Sequence, residues 1–240
     1  MDVNKNSYTF TFSAILVIVV AGLLAFVSES LKPMQKENVR IEKMQNILAS
    51  VKEETTKENA SELFDKYIVK QVMLNYQGEV VADSKLSPFE VDAVQEYKSL
   101  SIEERNYPLF IFEKDGVKKF IVPMAGSGLW GPIWGYVALD NDMTTVFGST
   151  FDHKGETPGL GAEIKEEAFQ EKFIGKTIFD EQMKYEPIEV VKGGVDMSSE
   201  MHKVDGISGG TITSKGVGEM LERTLKIYVP YFKGTQQASL

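Results

Sequence analysis

Between Asn6 and Ser28 the sequence carries no charged side chain. From Phe10 to Val27 it is almost wholly apolar, with Ile15, Leu16, Val17, Ile18, Val19, Val20, Leu23, Leu24 and Phe26 at its centre. A helix rises about 1.5 Å per residue, so about 20 such residues match a hydrocarbon core of roughly 30 Å. The stretch has no polar face, which argues against a core helix of a water-soluble domain. A cleaved signal peptide is the other reading. Lys5 is the only basic residue before the run, the run is long, and Val27-Ser28-Glu29 is a poor small-x-small cleavage site. The pattern therefore predicts a short tail over 1–8 and a retained membrane anchor over 9–28. Lys5 lies before the span, and Lys32, Lys36, Arg40 and Lys43 lie after it. Counted alone, these charges place the C-terminal part in the cytoplasm, although the rule weakens when a long folded domain follows.

After Pro33, Val39, Met44, Ile47, Leu48 and Val51 recur at helical spacing among charged residues, predicting an amphipathic stalk over 29–58. A second helix is expected over Ala60–Lys70. From Val72 onward short β-prone runs alternate with turn residues. Leu109–Phe112 and Lys119–Val122 flank Asp115-Gly116, which is a hairpin signal. Thr144–Phe151 and Ile188–Lys192 read as strands, the latter ending at Gly193-Gly194, and 164–173 reads as a charged surface helix. Val217, Met220, Leu221, Thr224, Leu225 and Tyr228 mark a terminal amphipathic helix, stopped by Pro230. The expected class is α+β: one transmembrane helix, then a single domain over 59–240 with a mainly antiparallel sheet and flanking helices.

Composition narrows the chemistry. There is no cysteine, which removes iron–sulfur clusters, zinc–thiolate sites and thiol nucleophiles from this chain. His153 and His202 are the only histidines, too few for a His-rich metal centre. The net charge of −9 argues against nucleic acid as a partner. Gly126-x-Gly128-x-x-Gly131 matches a dinucleotide fingerprint literally. Pro132 and a β-like run follow it, however, where a helix is needed, so a Gly- and Trp-rich turn between strands is the better reading.

Two glycine-rich segments carry candidate chemistry. Asp205-Gly206-Ile207-Ser208-Gly209-Gly210-Thr211-Ile212-Thr213-Ser214-Lys215-Gly216 leads into the terminal helix. Its glycines let backbone approach a ligand, and the helix N-terminus with Lys215 favours an anion. Ser208, Thr211, Thr213 and Ser214 offer hydroxyls for hydrogen bonds or for attachment of a phosphate. A capped loop needs only one or two of these groups. No P-loop spacing and no legible Ser-His-Asp triad is present. The second segment, Gly155-Glu156-Thr157-Pro158-Gly159-Leu160-Gly161, reads as a tight turn. It can serve as a plain surface connection or lay bare backbone against a planar ligand. Trp130 and Trp134 read as sheet core before they read as cofactor contacts.

These motifs together resemble the NqrC family, the C subunits of the sodium-translocating NADH:quinone reductases, and more distantly the G subunits of Rnf complexes. The likeness spans most of the chain: the anchor, Gly128-Leu129-Trp130, Glu156–Gly161, and Asp205–Ser214. The family motif Asp-x-x-Ser/Thr-Gly-Ala-Thr is matched by Asp205, Ser208, Gly209 and Thr211, with Gly210 standing where Ala is usual. The resemblance implies FMN bound covalently, through a phosphoester, to Thr211, with Thr213 as the fallback acceptor. Ser208, Gly209, Gly210, Thr213 and Lys215 would surround the phosphate. Glu156, Thr157, Gly159, Leu160, Gly161 and Trp130 would lie toward the ring system. It implies an electron carrier between iron–sulfur centres and a second flavin and quinone, in a six-subunit Na⁺ pump matured by a flavin transferase. It also implies a flavin domain on the periplasmic side of the inner membrane, against the charge count. A membrane-anchored binding or scaffold module without redox activity is the alternative of a different class.

Overall fold

A computed structural model describes residues 6–238. The first helix, α1, runs unbroken over Asn6–Ala49. The apolar side chains of its first part, among them Phe10, Ile15, Leu16, Val17, Ile18, Leu23 and Leu24, are exposed, and by length and composition the helix can cross a membrane. Pro33 lies inside α1, where it removes one backbone N–H bond; the good helix formers on both sides carry the helix through. Of the tail expected over 1–8, residues 1–5 lie outside the described residues.

A compact unit extends from Met44 onward. It takes in the end of α1, where Met44, Ile47, Leu48 and Val51 are buried, so the final turns of the expected stalk are core and Val39 is exposed. Next come α2 (Ala60–Tyr67), β1 (Ile68–Leu74), α3 (Ala93–Ser99), β2 (Tyr107–Lys114) and β3 (Val117–Ser127). They are followed by β4 (Pro132–Leu139), β5 (Val146–His153), α4 (Glu167–Gln170), β6 (Glu189–Val191), β7 (Lys203–Asp205) and α5 (Thr211–Ala238). β1 to β5 form one antiparallel sheet in sequence order, and β6 and β7 pair in parallel as a separate two-stranded sheet.

The β2–β3 hairpin turns at Asp115-Gly116, with φ of 53° and 77°, the positive pair that a two-residue loop requires. Both faces of the sheet are covered, which explains why β2 and β3 are buried almost without alternation. On one face Val217, Met220, Leu221, Leu225, Tyr228 and Phe232 of α5 join a core with Val122, Met124, Val137 and Leu139. On the other face Phe64 of α2 meets Phe110 edge-on at 6.1 Å, and Thr150 Oγ1 donates to Asn46 O.

The helix expected over Ala60–Lys70 ends at Tyr67, because Ile68 already pairs with Phe112 in β1, and two further expectations fail for identifiable reasons. Pro230 does not stop α5, which continues to Ala238. Tyr228 and Phe232 flank the proline, are fully buried and stack at 6.0 Å, so packing outweighs the lost N–H bond. Residues 164–173 are no surface helix. They break into a 3-10 turn, the single-turn α4 and a second 3-10 turn, because Ile164, Phe169 and Phe173 must all reach the core. Spaced five and four apart, the three do not share one face of a regular helix.

Candidate functional site

Three connections meet where β3 ends, β5 ends and α5 begins. The β3–β4 turn (128–131) closes with Gly128 N–H donating to Gly131 O at 2.7 Å, so the glycine fingerprint is an inter-strand turn, as its context predicts. The turn after β5 holds Glu156–Gly161. Thr157 O accepts from the N–H groups of Leu160 and Ala162, and Gly159 N–H donates to Glu163 Oε1 at 2.8 Å. The third connection is the 206–210 loop before α5.

That loop is held at both ends. Gly206 N–H donates to Val191 O and Gly210 N–H to Ile207 O. From the first turn of α5, Ser214 N–H donates to Gly210 O, while Ser214 Oγ accepts from Ile207 N–H at 2.9 Å. Gly209 has φ of +79°, and a Cβ there would also lie 2.6 Å from Leu160 Cδ2. The loop and the Glu156–Gly161 turn therefore touch. Gly210 is buried, and a Cβ on it would come within 3.2 Å of Ile207 and the Leu160 carbonyl carbon, so this chain packs the position tightly without the usual Ala.

The hydroxyls divide sharply. Thr211, the first residue of α5, is exposed, as is Ser208. Thr213 is 1% exposed and donates from Oγ1 to Glu156 Oε2 at 2.6 Å. Glu156 is itself only 5% exposed, and its Oε1 accepts from Trp130 N–H at 2.8 Å. Thus Glu156 and Thr213 face each other inside the fold and do not present their polar atoms to solvent.

Trp130 is 69% exposed, so it is not sheet core; Leu160 and Ile212 are also exposed, at 41% and 58%. Glu156 ties the Trp130 backbone to Thr213, next to Ile212, and Gly209 abuts the Leu160 side chain, so all three exposed apolar residues sit on the connections that meet near the start of α5. Exposed aromatic and aliphatic groups of this kind suit a planar ring system. Asp205, at the end of β7, pairs with Lys172 Nζ at 2.8 Å, which ties the start of the loop to the Glu171–Phe173 turn. Lys215 is largely exposed, 3.6 Å from Glu219, and remains available to an anion at the helix start.

Lys172, His153 and Glu163 are parts of the site that the motifs do not mark. Lys172 reaches Asp205 across 33 residues, which no local pattern encodes. His153 Nδ1 accepts from Glu156 N–H at 3.1 Å, and its Nε2 is buried without a partner.

Residues 128–226, spanning all three connections, match the family described as "FMN-binding domain". The C subunit of the Na(+)-translocating NADH-quinone reductase of Pseudomonas aeruginosa is 32% identical, over 91% of this chain and 91% of its own length. That of Vibrio anguillarum is also 32% identical, over 90% of each. The chain belongs to the NqrC family of Na⁺-translocating NADH-quinone reductases. The crystal structure of the NqrC relative from Parabacteroides distasonis is 40% identical and superposes with a TM-score of 0.73, covering 84% of this chain and 96% of that one. Shewanella oneidensis NqrC is 28% identical with a TM-score of 0.67, over 81% and 98%. The α+β fold after an apolar N-terminal helix is thus that of the NqrC family.

Proposed function

We propose that this chain carries FMN through a phosphoester bond to Thr211. We assign it the role of electron-carrier subunit of a Na⁺-translocating NADH:quinone reductase, relaying electrons from iron–sulfur centres toward a second flavin and quinone. The observation that carries the acceptor assignment is the contrast between the two threonines. Thr211 is exposed at the start of α5, whereas Thr213 is buried with its hydroxyl engaged by Glu156.

The residues present fit the group. The first N–H groups of a helix lack intrahelical partners and attract a phosphate, and Lys215 adds a cation in the same turn. Trp130, Leu160 and Ile212 offer apolar contact to a ring system. The bound flavin supplies the redox chemistry, while the protein fixes its position and surroundings. A covalent link keeps the carrier loaded where no free FMN pool exists, in keeping with a soluble domain on the periplasmic side of the inner membrane. This reading places 9–28 in the bilayer and gives the remaining chain to the stalk and flavin domain. The apolar span from Asn6 to Ser28 has no ionisable residue apart from Tyr8, and charged groups mark most intramembrane ion routes. We read this subunit as a carrier, with NADH oxidation, quinone reduction and Na⁺ movement mostly in partner subunits and attachment of FMN assigned to a flavin transferase.

Co-expression of the full chain with a flavin transferase tests the assignment by intact mass. The expected product is heavier by one FMN less one water. The addition is absent in Thr211→Val and retained in Thr213→Val. An addition that survives Thr211→Val and disappears in Thr213→Val contradicts the acceptor assignment.

A further inference from the structure

Glu156 occupies an unusual place beside this site. Its carboxylate is buried, and burying such a group is costly unless its oxygens are bonded. Both are bonded, and to different segments. Oε1 takes the N–H of Trp130 in the β3–β4 turn, and Oε2 takes the hydroxyl of Thr213 in the first turn of α5, 57 residues along the chain. The Glu156 N–H is anchored in turn on His153 Nδ1. The surrounding backbone leaves room for this one group. A Cβ on Gly128 would lie 2.5 Å from Oε1, and a Cβ on Gly161 would lie 2.6 Å from Oε2 and collide with Thr213 Oγ1.

Trp130 is an exposed aromatic on the β3–β4 turn, and Thr213 lies two residues past Thr211 in the same helical turn. We infer that Glu156 is a positioning residue. By spanning Trp130 and Thr213 it sets where the Thr211 acceptor stands relative to the Trp130 turn, and so fixes the orientation of the flavin without touching it. The inference rests on the reading of this chain as a flavin carrier.

The decisive property is reach. A glutamine in place of Glu156 keeps an oxygen for Trp130 N–H and an amide N–H for the Thr213 oxygen. An aspartate keeps the carboxylate but is one methylene too short for both partners. The test uses the full chain co-expressed with a flavin transferase. It reads occupancy by mass, the visible-region circular dichroism of the attached flavin, and the thermal midpoint. Glu156→Gln is expected to keep the wild-type flavin band. Glu156→Asp and Thr213→Val are expected to lower the band several-fold per attached flavin, while mapping in Thr213→Val still finds FMN on Thr211. Should Glu156→Asp fail to fold, the near-isosteric Thr213→Val decides alone.

A wild-type band in Glu156→Asp and Thr213→Val overturns the inference, even if their thermal midpoints fall, because Glu156 is then only a structural tie. Equal loss in Glu156→Gln and Glu156→Asp also overturns it, since charge and not span would be the cause. A wild-type chain that takes up no FMN at all defeats the flavin reading itself, which separates the two failures.

Discussion

Gly209 and the Thr211/Thr213 pair show how far single residues are legible. The run of glycines and hydroxyls before an amphipathic pattern marks a ligand-facing helix start, because few plain loops need both. The spacing from Asp205 marks Thr211, which is exposed at the start of α5. The partners of Glu156 are hidden, because hydrogen bonds across 26 and 57 residues leave no periodic trace. Trp130 reads as core from its β-prone surroundings; the tight 128–131 turn instead turns it out to solvent. At this scale Gly209→Ala is expected to cost about 1 kcal/mol or more. The residue sits at φ of +79°, and the new methyl would press on Leu160. Urea unfolding of the flavin-free protein measures it, and an unchanged midpoint would count against this account of the loop.

Secondary-structure elements are legible where local chemistry decides them, and not where tertiary packing does. The Asp115-Gly116 hairpin is dictated by its two turn residues. The passage of α5 through Pro230 is decided by Tyr228 and Phe232 in the core, and Tyr228 also donates its hydroxyl to Pro108 O at 2.8 Å. Asp142 gives the β4–β5 turn a pH dependence. Burial pushes its carboxyl up, but hydrogen bonds from Thr145 and Thr144 outweigh this and hold it below the usual aspartate value. A carboxyl lowered on folding stabilises above its unfolded pKa, about 3.9, and loses that contribution as pH falls through the folded value. Asp142→Asn is therefore expected to unfold at lower urea than wild type near pH 6, with the gap narrowing as the pH is taken below about 4. A gap that widens on acidification would contradict the sign.

For the whole molecule, the apolar span, the class and the order of segments are all visible in the sequence. The place where the compact unit begins is not: helical spacing extends the stalk to residue 58, while burial starts at Met44. Spacing alone cannot tell a solvated stalk from a core helix, because Met44, Ile47 and Leu48 fit either until the sheet they cover is known. A chain starting at Met44 is expected to be soluble and to melt as one cooperative unit. A chain starting at residue 59 loses the buried side chains of Met44, Ile47, Leu48 and Val51. Losing even one of them costs about 2–4 kcal/mol, so this chain is expected to be unfolded or aggregated. Thermal unfolding of the two chains checks this, and equal midpoints would show that the end of α1 is dispensable.

The claim on which the functional account turns is a bond at one atom, the Thr211 hydroxyl. Trypsin cleavage after Lys203 and Lys215 releases residues 204–215, a peptide carrying Ser208, Thr211, Thr213 and Ser214 together. Fragmentation of that peptide from the full chain, matured with a flavin transferase, is the most direct measurement. The account predicts one FMN less one water on fragments containing Thr211 and absent from those beginning at Ile212. The same mass on Thr213 or Ser208, or an unmodified peptide, would contradict it.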